Sequence, residues 1–163
     1  MDAFSYTWYE SPVGSLLLAG SPSALHYLSF STGKHAVPID PRWIENRSMF
    51  AEAIRQLTEY FAGGRETFAL KLHPPGTEFQ RSVWSELRQI PYGETISYKT
   101  LAERIRKPQA VRAVGAANGA NPIPIIIPCH RVIGHDGSLT GFGGGLPLKK
   151  RLLELESRQL ALL

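Results

Sequence analysis

The chain has 163 residues, 43% apolar and 20% charged, with a net charge of +4. This balance excludes a mainly disordered or fibrous chain and fits one full-sized domain or two small ones. The single cysteine excludes an internal disulfide and a cysteine-rich zinc site; no apolar run approaches the ~18–20 residues of a membrane span and no secretory leader is visible, so a reducing cytoplasm is the expected setting.

The first half reads as an α+β unit. Phe4–Tyr9 alternates and is aromatic, Ser15–Ala19 and Leu25–Phe30 are short apolar runs, and Pro12-Val13-Gly14 and Gly20-Ser21-Pro22 separate them. That is the pattern of an antiparallel meander. Residues 31–41 read as loop. Phe50, Ile54, Leu57 and Phe61 then share one helical face, which Gly63-Gly64 stops. Thr67–Leu72 is a candidate last strand. His26, His35 and His73 lack metal-ligand spacing and read as surface or core residues.

His73-Pro74-Pro75-Gly76 marks a break between a supporting domain, 1–75, and a second domain, 76–163. The first carries six Lys/Arg against seven Asp/Glu, a net of −1, and the second twelve against seven, a net of +5. The excess positive charge thus belongs to the second half, where it would attract a polyanion, nucleic acid first; on charge alone a solvated basic surface is the plainer reading.

In that half Thr77 with Gln80 forms a capping box, and Phe79, Val83, Leu87 and Ile90 mark a helix face ended by Pro91-Tyr92-Gly93. Ser97 is an N-cap for a short helix to about Ile105. Lys107-Pro108 breaks it, and a further helix runs from about Gln109 to Asn118. The pair has helix-turn-helix geometry. Seven of the eleven residues from Ala110 to Ala120 are Ala or Gly, with Arg112 projecting. A helix this slim serves either close packing or entry into a narrow groove. Asp136-Gly137 predicts a hairpin wing. Phe142 with glycines 141 and 143–145 suits a loop whose backbone approaches a ligand. Leu148, Leu152 and Leu155 line the last helix.

Pro128-Cys129-His130-Arg131-Val132 carries the clearest chemistry. A free thiol has a pKa of ~8.5, and a neighbouring base and cation would raise its thiolate fraction. Adjacent residues of extended chain point apart, so Cys129 and His130 need a turn or a bridging water to cooperate. Glu156 lies near the leucine stripe, about 40° round the helix from Leu152, and is placed to orient His130; Glu154 should face water.

Together these segments resemble the O6-alkylguanine-DNA alkyltransferase family, also called methylated-DNA–protein-cysteine methyltransferases. The resemblance rests on Phe79-Gln80-x-x-Val83-Trp84, Ile90-Pro91-Tyr92-Gly93, Ser97-Tyr98 and Arg112-Ala113-Val114-Gly115. It continues through Asn121-Pro122, Ile127-Pro128-Cys129-His130-Arg131-Val132, Gly144-Gly145-Leu146 and Leu152-Leu153-x-Leu155-Glu156. It implies a ribonuclease-H-like α+β N-terminal domain and a mainly α, winged helix-turn-helix C-terminal domain. It implies stoichiometric alkyl transfer from O6-alkylguanine in double-stranded DNA to Cys129, with O4-alkylthymine as a further candidate substrate. His130 would act on the thiol through a water, oriented by Glu156, and Asn121 would hold the turn. Arg112 would replace the flipped nucleotide and Tyr98 would aid flipping. The carbonyls of Cys129 and Val132 and the N–H of Gly143 would read the base, with Phe142 at the pocket rim. The small-residue helix would lie in the minor groove.

No cofactor, metal or obligate protein partner is expected, and a monomer suffices. Relatives commonly carry Gly where Arg106 stands, often Tyr at Phe142, and Ser or Arg at Gly143; some hold zinc through N-terminal cysteines that this chain lacks. A turning-over Cys-His hydrolase and a lesion-binding protein without chemistry are the competing readings.

Overall fold

Alternation along Ser5–Ser11 (β1) turns Ser5, Thr7 and Tyr9 inward and leaves Trp8 and Glu10 exposed. In the computed structural model, which describes residues 4–31, 36–140, 142 and 144–161, this strand pairs antiparallel with Gly14–Ser21 (β2). Gly14, at φ +107°, makes the tight turn between them. Ala24–Phe30 (β3) completes the expected meander, and Ile44–Glu45 (β4), which the sequence did not suggest, adds to β1 in parallel. The sheet order is β3-β2-β1-β4. Ala51–Phe61 (α1) follows a 3-10 turn at Arg47–Phe50 and buries Leu57 and Tyr60.

Thr67–Leu72 is not a strand. Leu72 alone bridges to Leu25. Upstream, a side chain takes the role of a strand partner: Gln56 accepts from Ala69 N at 2.9 Å and donates to Ala69 O at 3.2 Å.

The second half is helical at first. Glu78–Leu87 (α2) opens with the expected capping box, Gln80 N to Thr77 Oγ1 at 3.1 Å and Thr77 N to Gln80 Oε1 at 2.9 Å. Ile96–Ser97 (β5) leads into Tyr98–Arg104 (α3), where Ser97 Oγ accepts from Thr100 N at 3.0 Å. Val111–Gly119 (α4) packs on α2 and α3. Trp84, buried between α2 and α4, donates its indole N–H to Ala117 O at 2.8 Å. The turn between α3 and α4 puts Arg106 at φ 63°, the left-handed conformation in which glycine costs least.

The wing differs from expectation. Val132–Ile133 (β6) pairs in parallel with β5, and no second hairpin strand forms among the described residues. Asp136-Gly137 does turn, closed by Gly134 N to Ser138 O at 2.8 Å. The ladder beyond it is displaced by a side chain. Lys149 Nζ donates to both Val132 O (2.6 Å) and Thr140 O (2.8 Å), and Tyr98 Oη donates to Thr140 O at 3.0 Å. Leu146–Ala161 (α5) carries that lysine and closes the fold with Leu152 fully buried. No described helix is long and apolar enough to cross a membrane.

One apolar core runs through both halves, from Tyr9, Leu16 and Leu57 to Val83, Ile123 and Leu152. Polar links cross the same junction: Leu28 N to Pro122 O at 2.9 Å, Tyr60 Oη to Glu156 Oε2 at 2.6 Å, and Arg151 Nη2 to Pro12 O at 2.9 Å.

Candidate active site

Cys129 opens a single 3-10 turn, Cys129–Arg131, and this supplies the reversal that the adjacent thiol and imidazole require. The approach to it is heavily tied. Ile125 sits at φ 73°, rare for a β-branched residue, while Ile127 N reaches Ile123 O at 2.9 Å across it. Asn121 Nδ2 donates to Ile127 O at 2.8 Å and its Oδ1 accepts from Ile123 N at 2.9 Å. Asn118 Nδ2 reaches Cys129 O at 3.4 Å.

The thiol lies on the wall of a cavity of about 570 Å³, which Tyr27, Phe30, Val37, Asn121 and Phe142 also line. The first half of the chain thus furnishes one side of it. Phe142 packs on Phe30 with ring centroids 5.7 Å apart. Burial pushes the Cys129 thiol up to about 11, against the opposing pull of Asn121 and the Lys149 charge. The expected gain in resting thiolate is therefore absent: removal from water outweighs the neighbouring cation.

His130 is fully buried, and its Nε2 lies 2.7 Å from Glu156 Oε2. An ionised carboxylate only accepts, so the hydrogen-bond network assigns the proton to Nε2. Nδ1, buried and without a hydrogen-bond partner among the described residues, keeps its lone pair. Burial lowers the His130 pKa further than Glu156 raises it, which keeps the ring neutral. Glu156 takes five donors. Tyr60 Oη, His130 Nε2 and Arg131 Nη2 converge on Oε2 at 2.6, 2.7 and 3.0 Å. Arg131 Nε and Gly93 N reach Oε1 at 2.9 and 3.3 Å. Burial alone would raise this carboxyl, but the bonds from His130 and Arg131 hold it well below the usual carboxylate range.

Tyr60 and Lys149 were not singled out from the sequence, and Arg131 was read as a cation beside the thiol rather than as a partner of Glu156. Arg131 also donates Nη1 to Ile90 O at 2.7 Å, which joins α2 to the turn. Tyr60 follows Leu57 by three residues on the apolar face of α1. Lys149 precedes Leu152 by three and Glu156 by seven, so the spacing that turned Glu156 inward applied to it as well.

The other expected residues lie apart from the thiol's cavity. Tyr98, half-buried, borders a separate depression with Val111, Gly115 and Thr140. The Val132 carbonyl is engaged by Lys149. Arg112 stands on the exposed face of α4 beside Ala113 and Ala116, without a side-chain hydrogen bond among the described residues; Lys99, Arg104, Arg106 and Lys107 are exposed nearby in sequence. Gly143 and His35 lie outside the described residues.

Comparison with known proteins matches both halves. The model of the 6-O-methylguanine DNA methyltransferase ribonuclease-like domain covers residues 4–74, and that of the DNA binding domain of the same proteins covers residues 78–158. The methylated-DNA–protein-cysteine methyltransferase of Methanosarcina barkeri is 56% identical over 95% of this chain and 98% of that protein. The one from Mycobacterium leprae is 51% identical over 93% and 91%. The crystal structure of Mycobacterium tuberculosis OGT in complex with DNA superposes with a TM-score of 0.90 at 47% identity, covering 95% of this chain and 94% of that one. The two halves, the slim helix and the buried Cys-His-Glu constellation are thus accounted for together: the chain belongs to the 6-O-methylguanine DNA methyltransferase family.

Proposed function

We propose that this protein repairs DNA by moving the alkyl group of O6-alkylguanine to Cys129, once per chain. One observation carries the reading: the thiol borders a cavity, and the next residue is a buried, neutral imidazole whose Nδ1 has no hydrogen-bond partner among the described residues. As the S–C bond forms, the O6–C bond breaks. The thiol proton passes through a water to His130 Nδ1, and one proton returns from there through water to N1 of the released guanine, which leaves the imidazole neutral. Electrophilic carbon and leaving group both reside in the substrate, so the step needs no cofactor. The product is a thioether, which water does not readily cleave, and no second cysteine exists to resolve it.

A base inside a duplex must leave the stack to reach a thiol in a cavity. The small exposed face of α4 fits a narrow groove, with Arg112 filling the vacated position and the cations near the α3–α4 turn meeting phosphates. Tyr98 would exchange its bond to Thr140 for one to the base. The Val132 carbonyl retains a lone pair beside the one Lys149 takes; with the Cys129 carbonyl and the Phe142 ring it would complete a base pocket once DNA is bound.

The test is the intact mass after mixing with a duplex bearing one O6-methylguanine. One added methyl per chain, mapped to Cys129 and absent in Cys129→Ala, supports the reading. Continued turnover would mean a hydrolase. Lesion binding without modification would mean recognition alone.

A further inference from the structure

The buried hydroxyl of Tyr60 is not needed for packing. Its ring sits among Phe61, Phe68 and Tyr92, with centroids 5.3, 5.5 and 6.2 Å away, a setting that a phenylalanine would fill. A hydroxyl taken out of water costs free energy unless it is bonded. This one is bonded across the junction between the halves, to the carboxylate oxygen that also holds His130.

We infer that Tyr60, in the N-terminal half, is a positioning residue of alkyl transfer, its hydroxyl fixing Glu156 and through it the proton on His130 Nε2. This rests on the function proposed above. Three donors on Oε2 prevent the carboxylate from rotating away from the imidazole. They also share its charge, which limits how basic Glu156 makes His130. Without the Tyr60 hydroxyl, more of that charge falls on the His130 bond. The imidazole becomes more basic, is protonated at higher pH, and its Nδ1 is blocked as a proton acceptor. The other groups facing the pair are Arg131 and Cys129 on its own turn, Tyr92 from the loop after α2, and Lys149 on α5. The substitution Tyr60→Phe leaves all of them in place.

The experiment compares single-turnover transfer by wild type and Tyr60→Phe across about pH 5 to 9, and follows the His130 ring nitrogens by NMR over the same range. The variant is expected to move the acid limb of the rate, and the His130 midpoint, upward by about half a pH unit, so that the rate falls roughly threefold on the acid limb and less than twofold at neutral pH. A limb and midpoint that stay put overturn the inference whatever happens to rate or melting temperature, because a packing role would move only those. Absence of transfer by wild type would sink the proposed function instead, and the NMR midpoint would still decide whether Tyr60 acts on His130.

Discussion

Lys149 and Val132 are joined by a 2.6 Å bond from ammonium to carbonyl oxygen, at a lysine with no solvent exposure. Burial pulls this lysine down to about 8. The bond stands where a hairpin ladder would otherwise run, so a side chain from α5 sets the spacing between β6 and Thr140. The change Lys149→Met keeps the stem but leaves the Val132 carbonyl buried without its partner. A loss of about 2–3 kcal/mol in urea unfolding is expected. A loss under 0.5 kcal/mol would show that water replaces the ammonium freely.

Acid should destabilise the fold in two stages. The folded pKa of His130 lies below its ordinary value and that of Glu156 well below. As pH falls, the unfolded chain binds protons at both groups before the folded one does. Their stabilisation is complete above about pH 6.5, declines from there as His130 charges in the unfolded state, and declines further below about pH 4.3. Thermal unfolding across that range checks it; stability rising on acidification from pH 7 contradicts it. The change Glu156→Gln leaves Arg131 buried without a counter-ion and is expected to cost about 3–5 kcal/mol and to flatten the second stage.

The resting thiol should be quiet. With Cys129 pushed up to about 11, its thiolate fraction at pH 8 is on the order of a hundredfold below that of a free thiol. Iodoacetamide labelling of the native protein against the urea-unfolded chain measures this. Equal rates would mean that the thiol is ionised before DNA arrives.

Arg106 separates stability from binding. Its φ of 63° favours glycine, so Arg106→Gly should stabilise the fold by about 0.5–1 kcal/mol. If the guanidinium meets a phosphate, the same change weakens DNA binding and lowers the salt slope by about one. An unchanged slope removes Arg106 from the interface.

Arg112 is exposed, so Arg112→Ala should leave stability within about 0.5 kcal/mol. Transfer from duplex should slow more than transfer from the free modified base. Equal slowing on both substrates would exclude a part in flipping.

The elements with local signals were legible: the meander, the Thr77 and Ser97 caps, and the slim helix. The inward turn of Glu156 was legible because an amphipathic stripe has a period. The wing and the strand at Thr67–Leu72 misled because their backbone partners are side chains, Lys149 and Gln56, from distant segments. Tyr60 carries no local mark, and the partner of Arg131 was missed, since what recruits both is a buried carboxylate contributed by another part of the chain. The thiol was misjudged for a related reason. Its neighbours in sequence suggested charge, and its burial, a property of the whole fold, decides the outcome.

Glu156 follows Arg131 by 25 residues, with α5 as its carrier. The cysteine turn is therefore synthesised before the carboxylate that organises it, by about one to five seconds at ordinary elongation rates. In that interval His130 and Arg131 have no acid to bind, and the β3 wall waits beside an unformed turn. A ribosome-arrested chain stopped before residue 156 should accept no alkyl group from a lesion duplex. Reactivity would then be gained when the final helix docks on the cysteine turn, in one step, rather than growing with chain length.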